Sequence, residues 1–390
     1  MYIKKSVLAV CAVILVIATA VGTVMAVNPF GVLGFGDFFK FNTGVAVLKR
    51  YFYEDLDNND LVDGALTGLA YSANDAYTLY MNTDVAEDFM ESVDSDDYSG
   101  VGLYITSDPD DNKVLVVSPL SDSPAEKAGI VSGDKIVAID GKNVSGDNID
   151  EVAKSMKGKT GTEVKLRVLK KSTGEETDIV LNRATIKRET VESKMINSEV
   201  GYIAITQFGV HTYDEFAEQF NALTKKGMKK LVIDLRNNPG GYVDMAVKIA
   251  DTFIDSGDIV YTMDRKGKKR YHKAEKGATK LPIVTLTNGG SASASEILIG
   301  ALKDHGIAKS VGEKTFGKGV TQIPYQFSDG SIIKVTDSRY YTPSGVCIDK
   351  EGIKPDVEVK VDAEKYADIS KMSFSEDEQL RAAVGLLEKE

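Results

Sequence analysis

Two stretches of this chain share one form: a β-branched apolar run, a turn of asparagine and glycine, then the start of a helix. The first is Leu231-Val232-Ile233-Asp234-Leu235-Arg236, followed by Asn237-Asn238-Pro239-Gly240-Gly241. The second is Ile283-Val284-Thr285-Leu286-Thr287, followed by Asn288-Gly289-Gly290-Ser291-Ala292-Ser293-Ala294-Ser295-Glu296. Repeated strand, turn and helix calls for βαβ crossovers over a mixed sheet. Reactive groups in such a sheet gather in the loops beyond the carboxyl ends of its strands. The flanking periodicity agrees. It predicts strands at 200–208, 230–234, 259–263 and 283–287, and helices at 213–225, 243–253 and 293–304. Val320 to Phe327 reads as extended, and Leu380, Ala383, Val384 and Leu387 mark one amphipathic helix near the end.

The two turns suggest chemistry. Paired glycines adopt positive φ and expose backbone N–H groups. Two such donors from neighbouring loops make an oxyanion hole, worth ~2.7–4 kcal/mol of transition-state stabilisation each. Gly240 and Ala294 are the expected donors, with Gly241 as the alternative; Pro239 has no N–H to give. Ser291, Ser293 and Ser295 are candidate nucleophiles. Ser293-x-x-Glu296 is also a capping-box pattern, and spacing alone favours a helix cap.

A nucleophilic serine needs a base. The chain has three histidines, His211, His272 and His305. On a helix from Ser293, His305 lies ~18 Å away along the axis. His272 falls in a basic, loop-like stretch, Gly267-Lys268-Lys269-Arg270-Tyr271-His272-Lys273. His211 follows a strand and opens a helix, so it is the histidine alternative. Lys318, set between Gly317 and Gly319, is the better candidate. Gly312-x4-Gly317-Lys318 imitates a phosphate loop, but Gly319 replaces the hydroxyl residue that would hold magnesium, and no helix follows. A lysine base must be neutral, so its pKa must fall from ~10.4 towards ~7–8. Burial among glycines and apolar groups does this. Gln322 can orient the amine without restoring its charge. No metal or cofactor enters this chemistry.

At 390 residues the chain is long enough for two to three domains. Its 58 acidic against 47 basic residues give a net charge of −11, which argues against nucleic acid as a partner. Two cysteines support neither a disulfide framework nor a Cys-rich zinc site. Lys4 and Lys5 precede an uncharged run from Ser6 to Val27, long enough to span ~30 Å of hydrocarbon. We read residues 1–28 as a retained membrane anchor in preference to a cleaved signal, with everything after Pro29 outside the cytoplasm. A cleaved run would make the protein secreted. Residues 31–42 read as a connector and 43–92 as two or three short helices, with Asp60 and Asn82/Thr83 as caps. These helices fit either packing against the next domain or a homodimerisation arm.

Residues 97–186 carry a further pattern. Ser123-Pro124-Ala125-Glu126-Lys127-Ala128-Gly129-Ile130 predicts a short helix capped by Ser123, and Gly133 to Gly141 predicts turn, strand and turn. The whole run from Ser123 to Val144 closely resembles the PDZ domain in the form found in bacterial proteases. The resemblance implies that Gly100, Val101, Gly102 and Leu103 form the loop that receives a C-terminal carboxylate, with the tail adding as a strand. It also implies a basic residue that couples this module to the active site, for which Lys170 and Lys171 are the nearest counterparts.

Ser-Ala-Ser-Ala-Ser at 291–295, Thr-Phe-Gly-Lys-Gly-Val-Thr-Gln at 315–322, Asp234 to Gly241, and Tyr340 to Gly345 with Gly352 to Val357 together resemble the carboxyl-terminal processing proteases. These are the tail-specific serine peptidases of family S41, and the likeness covers roughly 43–360. It implies that Ser293 is the nucleophile, Lys318 the base and Gln322 its orienting residue. It further implies that Asp234, Arg236 and Glu296 support the site. The expected protein is an α/β chain: a mixed-sheet Ser-Lys peptidase core at 195–390, an inserted PDZ domain, a helical segment and an anchor. Its expected partners are protein substrates with apolar C-terminal tails. The rival class is a PDZ scaffold that binds tails without cutting them.

Overall fold

The structure is a computed structural model that describes residues 14–16, 19, 34–94, 98–120, 122–186, 189–275, 277–361 and 372–389. Most of the apolar run from Ser6 to Val27 lies outside these residues. Among the described residues no helix is long and apolar enough to cross a membrane. The chain divides into two compact units, 1–82 and 83–390.

In the first unit, α1 (Phe35–Tyr51) begins inside the stretch that reads as a connector. Glycine there does not prevent a helix that phenylalanines populate at helical spacing. In α2 (Asn58–Tyr71) the cap is Asp57, whose carboxylate accepts the Asn59 N–H, and not Asp60. An N-cap must stand outside the first helical turn, and Asp60 lies within it. Phe39, Tyr51, Leu69 and Tyr71 leave this unit with large exposed apolar side chains.

The second unit opens with α3 (Thr83–Asp94). The PDZ module follows as a sheet in the order β1 (Leu103–Ser107), β2 (Val114–Pro119), β3 (Lys135–Ile139), β4 (Glu163–Leu169) and β5 (Glu176–Asn182). Two helices complete it, α4 (Pro124–Lys127) and α5 (Ile149–Met156). Ser123 caps α4 by accepting the Glu126 N–H, with Pro124 at the first helical position as expected. Val114, Val116, Ile136, Leu166 and Val168 alternate into its core against Val152 and Met156 of α5.

The peptidase-like core is built on β6 (Val191–Met195), β7 (Val200–Ile205), β8 (Lys230–Asp234), β11 (Ile283–Thr287), β12 (Ala308–Gly312) and β15 (Val357–Glu358). They stand in that order in one sheet, all parallel except β6. One face, with Ile203, Leu231, Ile233 and Ile283, is covered by α6 (Thr212–Lys225), α7 (Val243–Asp251) and α8 (Ala294–Asp304). The other face, with Val232, Val284 and Leu286, receives Leu380, Ala383, Val384 and Leu387 of α9 (Glu378–Leu387). Burial on both faces explains why these strands read as continuous apolar runs.

A second, antiparallel sheet holds β9 (Gly257–Asp264), β10 (Lys269–Ala274), β13 (Val320–Gln326) and β14 (Ile332–Tyr341). β14 pairs with both β13 and β9, and β10 forms the edge beyond β9. The basic stretch around His272 is therefore a strand and not a loop. Its pairing with β9, which sets Tyr271 opposite Tyr261, overrides its polar composition.

A buried charge cluster ties α9 to the sheet. Arg236 donates through Nη1 and Nη2 to the Asp377 carboxylate at 3.0 and 2.7 Å, and through Nη1 to Gln379 Oε1 at 3.1 Å. Its Nε binds Asp234, which also accepts the Tyr202 hydroxyl at 2.8 Å. Burial works against the Arg236 charge, yet the two aspartates hold its pKa above the usual guanidinium range. Removing one member of a buried pair strands the other. Arg236→Met is thus expected to lose about 3–5 kcal/mol of stability in urea unfolding. A loss below about 1 kcal/mol would show that water replaces the guanidinium.

Candidate active site

β8 and β11 are parallel neighbours, with Asp234 opposite Leu286, so the loops that follow them leave the sheet side by side. Side chains stitch the loops together. Asn237 N donates to Asn288 Oδ1 at 2.9 Å, and Asn288 Nδ2 to Asn237 Oδ1 at 2.7 Å. The Ser291 hydroxyl donates to Leu235 O at 2.8 Å, and that of Ser295 to Asn238 O at 3.0 Å. Both of those serines are buried and serve as structural bridges. Ser293 is the serine of the run that does not bridge the loops.

Ser293 has φ 56° and ψ −114°, which a residue with a Cβ rarely adopts and which costs on the order of 1–3 kcal/mol. It stands at the N-cap of α8, and its N–H donates to Glu296 Oε2 at 2.9 Å. The Glu296 half of the expected capping box is therefore formed at the residue expected as nucleophile. Gly240 lies against this turn with φ 101°, and Gly241, at φ 137°, lies against the Phe208 backbone. A methyl group on Gly240 would stand 2.7 Å from Ser293 Cβ and 3.0 Å from Ala294 N, so only glycine fits. One on Gly241 would stand 2.1 Å from Phe208 O.

Of the expected oxyanion donors, Ala294 N–H is at the first position of α8, where no intrahelical partner exists. The Gly240 N–H instead donates to Asn238 Oδ1 at 2.9 Å, within its own loop. Asn238 is itself fixed by donating to Ile205 O at 2.8 Å.

The third loop, between β12 and β13, brings Lys318. Thr315 exchanges hydrogen bonds with the Ile353 backbone, and Phe316 N donates to Ser291 O at 3.0 Å. Gly317 and Gly319 lie against the backbone of 348–352, where a Cβ on Gly319 would stand 2.1 Å from Asp349 N. The flanking glycines thus answer to close packing at that point. Glu296, fully buried, joins this loop to the Ser293 turn. Its Oε1 accepts the Thr315 hydroxyl at 2.6 Å and Gly317 N–H at 2.8 Å; its Oε2 accepts both Ser293 N–H and Lys318 N–H at 2.9 Å. The backbone nitrogens of Ser293 and Lys318 are therefore within about 6 Å of each other, a gap that a lysine side chain covers. Burial holds the Glu296 carboxyl above its usual range against the pull of those four donors.

Burial, and then the charge of Lys334, hold the Lys318 amine below the usual lysine range. Lys334 sits on β14 opposite Pro324, with its amine 5.2 Å from the Phe89 ring centre on α3. Activity that depends on neutral Lys318 rises with pH through a lysine pKa already below its usual value. Lys334→Gln removes the like charge, so the acid limb of the kcat/KM profile should move to higher pH, with activity at neutral pH falling. Lys334→Arg should leave the limb in place. A pH series on the three enzymes checks this.

Gln322 follows on β13, its amide 3.5 Å from the Thr336 hydroxyl. Of the residues expected to support the site, Asp234 accepts from Arg236 and Tyr202, and Arg236 reaches Asp377 and Gln379 at the start of α9, 141 and 143 residues away in the chain. His305 lies at the far end of α8, its Nε2 2.8 Å from Asp258 O. His211 is exposed at the start of α6.

In the PDZ module, Gly100 ends a short strand paired with Ala184, and Leu103 begins the edge strand β1. The carbonyls of Val101 and Gly102 are taken by Ala125 and Leu120 N–H at 3.0 Å each. A methyl on Gly102, at φ 75°, would lie 2.2 Å from Ser123 Cβ. Leu103 and Ile105 of β1 pack on the same core as Val152 and Met156 of α5. Lys170 is committed within the module, with its amine 2.9 Å from buried Asp134 and 2.6 Å from Gly129 O. Lys171 packs over Gly133.

A serine on a glycine-framed turn, joined through one carboxylate to a partly desolvated lysine, belongs to serine-type peptidase chemistry. Comparison with known proteins gives the same class. Residues 199–359 match the model of peptidase family S41, 115–170 that of the PDZ domain, and 26–85 that of the activating protease CtpB N-terminal domain. The carboxy-terminal processing protease CtpA of Bacillus subtilis (strain 168) is 39% identical over 337 residues, 86% of this chain and 71% of that one. CtpB of the same organism is 36% identical over 82% of this chain and 67% of its own. A probable CtpA-like serine protease of Staphylococcus aureus (strain COL) is 40% identical over 83% of this chain, which spans 64% of that relative. Among solved structures, the photosystem II D1 C-terminal processing protease aligns with TM-score 0.52 and 31% identity, over 83% of this chain and 86% of that one. The chain belongs to peptidase family S41 and is a serine-type peptidase with a PDZ domain.

Proposed function

We propose that this peptidase cuts protein substrates outside the cytoplasm after its PDZ domain has captured their apolar C-terminal tails, and that Ser293 and Lys318 carry the reaction. The observation that supports the pairing is the Glu296 carboxylate, which accepts the backbone N–H of both residues. In this reading neutral Lys318 takes the Ser293 hydroxyl proton as Oγ bonds to the peptide carbonyl carbon. The carbonyl oxygen gains the negative charge and is held by Ala294 N–H and by the glycine pair. Gly240 serves only if Asn238 releases its N–H; Gly241 is the other donor. Lys318 then gives its proton to the leaving amine, which departs and leaves an acyl-enzyme. Water repeats the sequence and restores Ser293. Gln322 orients the Lys318 amine from the strand that follows.

The tail lies beside β1, with its carboxylate at the Gly100–Leu103 loop and its last side chain over the core between β1 and α5. The uncharged run at 6–27 anchors the chain in the membrane, and the exposed apolar side chains of α1 and α2 support self-association as a homodimer. The test uses full-length protein in detergent micelles and an unstructured substrate ending in apolar residues. Ser293→Ala and Lys318→Ala should both stop cleavage while tail binding persists. Residual cleavage by Lys318→Ala that disappears on adding His211→Ala would move the base to His211.

A further inference from the structure

The second sheet carries a cationic face with no part in the chemistry above. Rows of side chains across an antiparallel sheet share one face, and here two adjacent rows are distinctive. Tyr341, Tyr261 and Tyr271 stand opposite one another on β14, β9 and β10, with ring centres 5.0 and 5.2 Å apart. The next row on that face is Val320, Arg339, Met263 and Lys269. Lys269 places its amine 4.5 Å from the Tyr261 ring centre, and Lys273 places its own 5.6 Å from that of Tyr271. The turn between β9 and β10 adds exposed Arg265, Lys266 and Lys268.

Four acids lie nearby, and one of them, Glu275, is exposed directly after β10. Asp264 accepts the turn's Lys266 and Lys268 backbone N–H groups. Asp258 faces Lys273, and Asp349 faces Arg339, both at a loose 3.7 Å. This concentration of cations stands against a chain of net charge −11.

Lysines on an edge strand can simply discourage edge-to-edge aggregation. That accounts for β10 but not for the tyrosine row or for the continuation through Arg339. The continuation leads to the site. Arg339 is opposite Val320, two residues beyond Lys318, and Tyr340 N donates to Gly319 O at 2.7 Å. We propose that this face and the open edge of β10 form an exosite for an acidic stretch of the substrate polypeptide, lying some three strand spacings, ~14 Å, from the lysine loop. A polypeptide fits all of it. Its backbone can pair with the β10 edge, its carboxylates meet Lys269, Lys273 and the turn cations, and its apolar parts lie on Tyr271, the exposed member of a row whose central Tyr261 is buried. The identity of the occupant rests on the peptidase reading; the anion preference does not.

The experiment uses full-length Ser293→Ala protein in detergent micelles and two fluorescent peptides with the same apolar tail. One carries an Asp/Glu-rich block before the tail, the other Gln and Ser at those positions. The acidic peptide should bind about tenfold more tightly at low salt, with the advantage fading as salt shortens the screening length to a few ångströms. The preference should vanish in Lys268→Glu/Lys269→Glu and in the milder Lys268→Gln/Lys269→Gln, which guards against misfolding. With wild-type catalytic residues, the ratio of kcat/KM for acidic over neutral substrate should fall from about ten to about one in the same variants. Equal affinities, or a preference that survives both variants, overturns the proposal. So does competition by polyphosphate or anionic vesicles as effective as that by acidic peptide, which would make the face a phosphate or lipid surface. Preferential binding without cleavage of either substrate by the wild type would leave the exosite standing and remove the tail-directed cleavage proposed above.

Discussion

Ser293→Ala and Lys318→Ala should each lower kcat by about 10⁴–10⁶-fold, and the double variant should lose little more than either single one. The non-additivity follows from the geometry. A hydroxyl without its base is a poor nucleophile, and a base without its hydroxyl has nothing to deprotonate. The proposed oxyanion donors and the PDZ module remain in both variants, so KM for tailed substrate should change far less than kcat. Single-turnover cleavage, read beside tail binding by anisotropy, separates these terms. Independent losses that multiply in the double variant would mean that Ser293 and Lys318 do not act on one proton.

The second large effect concerns Glu296. Its carboxylate accepts four donors and is fully buried. Glutamine must turn its NH₂ towards one pair of those donors, which sets donor against donor. Glu296→Gln should therefore lose about 2–4 kcal/mol of stability, and Glu296→Ala somewhat more. Activity should fall beyond what stability explains, by about 10²–10³-fold in kcat, because the loops that carry Ser293 and Lys318 lose their shared anchor. The control is Arg236→Met, which loosens α9 without touching that anchor. At a temperature where both proteins remain folded, a serine-directed phosphonate probe should label Arg236→Met at near wild-type rate and Glu296→Gln slowly. Equal labelling of the two would reduce Glu296 to a folding residue.

Much of this was legible in the sequence, and the limits have physical causes. The parallel core showed itself because Leu231–Asp234 and Ile283–Thr287 are buried on both faces, which leaves unbroken apolar runs. The candidate site showed itself because Gly240, Gly241 and Gly319 each meet a packing demand that excludes a side chain, and Gly317 a positive φ. The second sheet was less visible. In β10 the pattern is charged residues around one exposed tyrosine, and only its partner β9 makes it a strand. The engagement of Arg236 with Asp377 and Gln379 was invisible, since it joins segments far apart in the chain. Nor does spacing reveal that Asn238 occupies the Gly240 N–H, because a side-chain rotamer decides it.

One further consequence follows from the carboxylate under the site. Because the same oxygen of Glu296 holds the main chain at Ser293 and at Lys318, neither turn can drift without dragging the other. A displacement imposed on either loop is therefore transmitted to the other through that one oxygen.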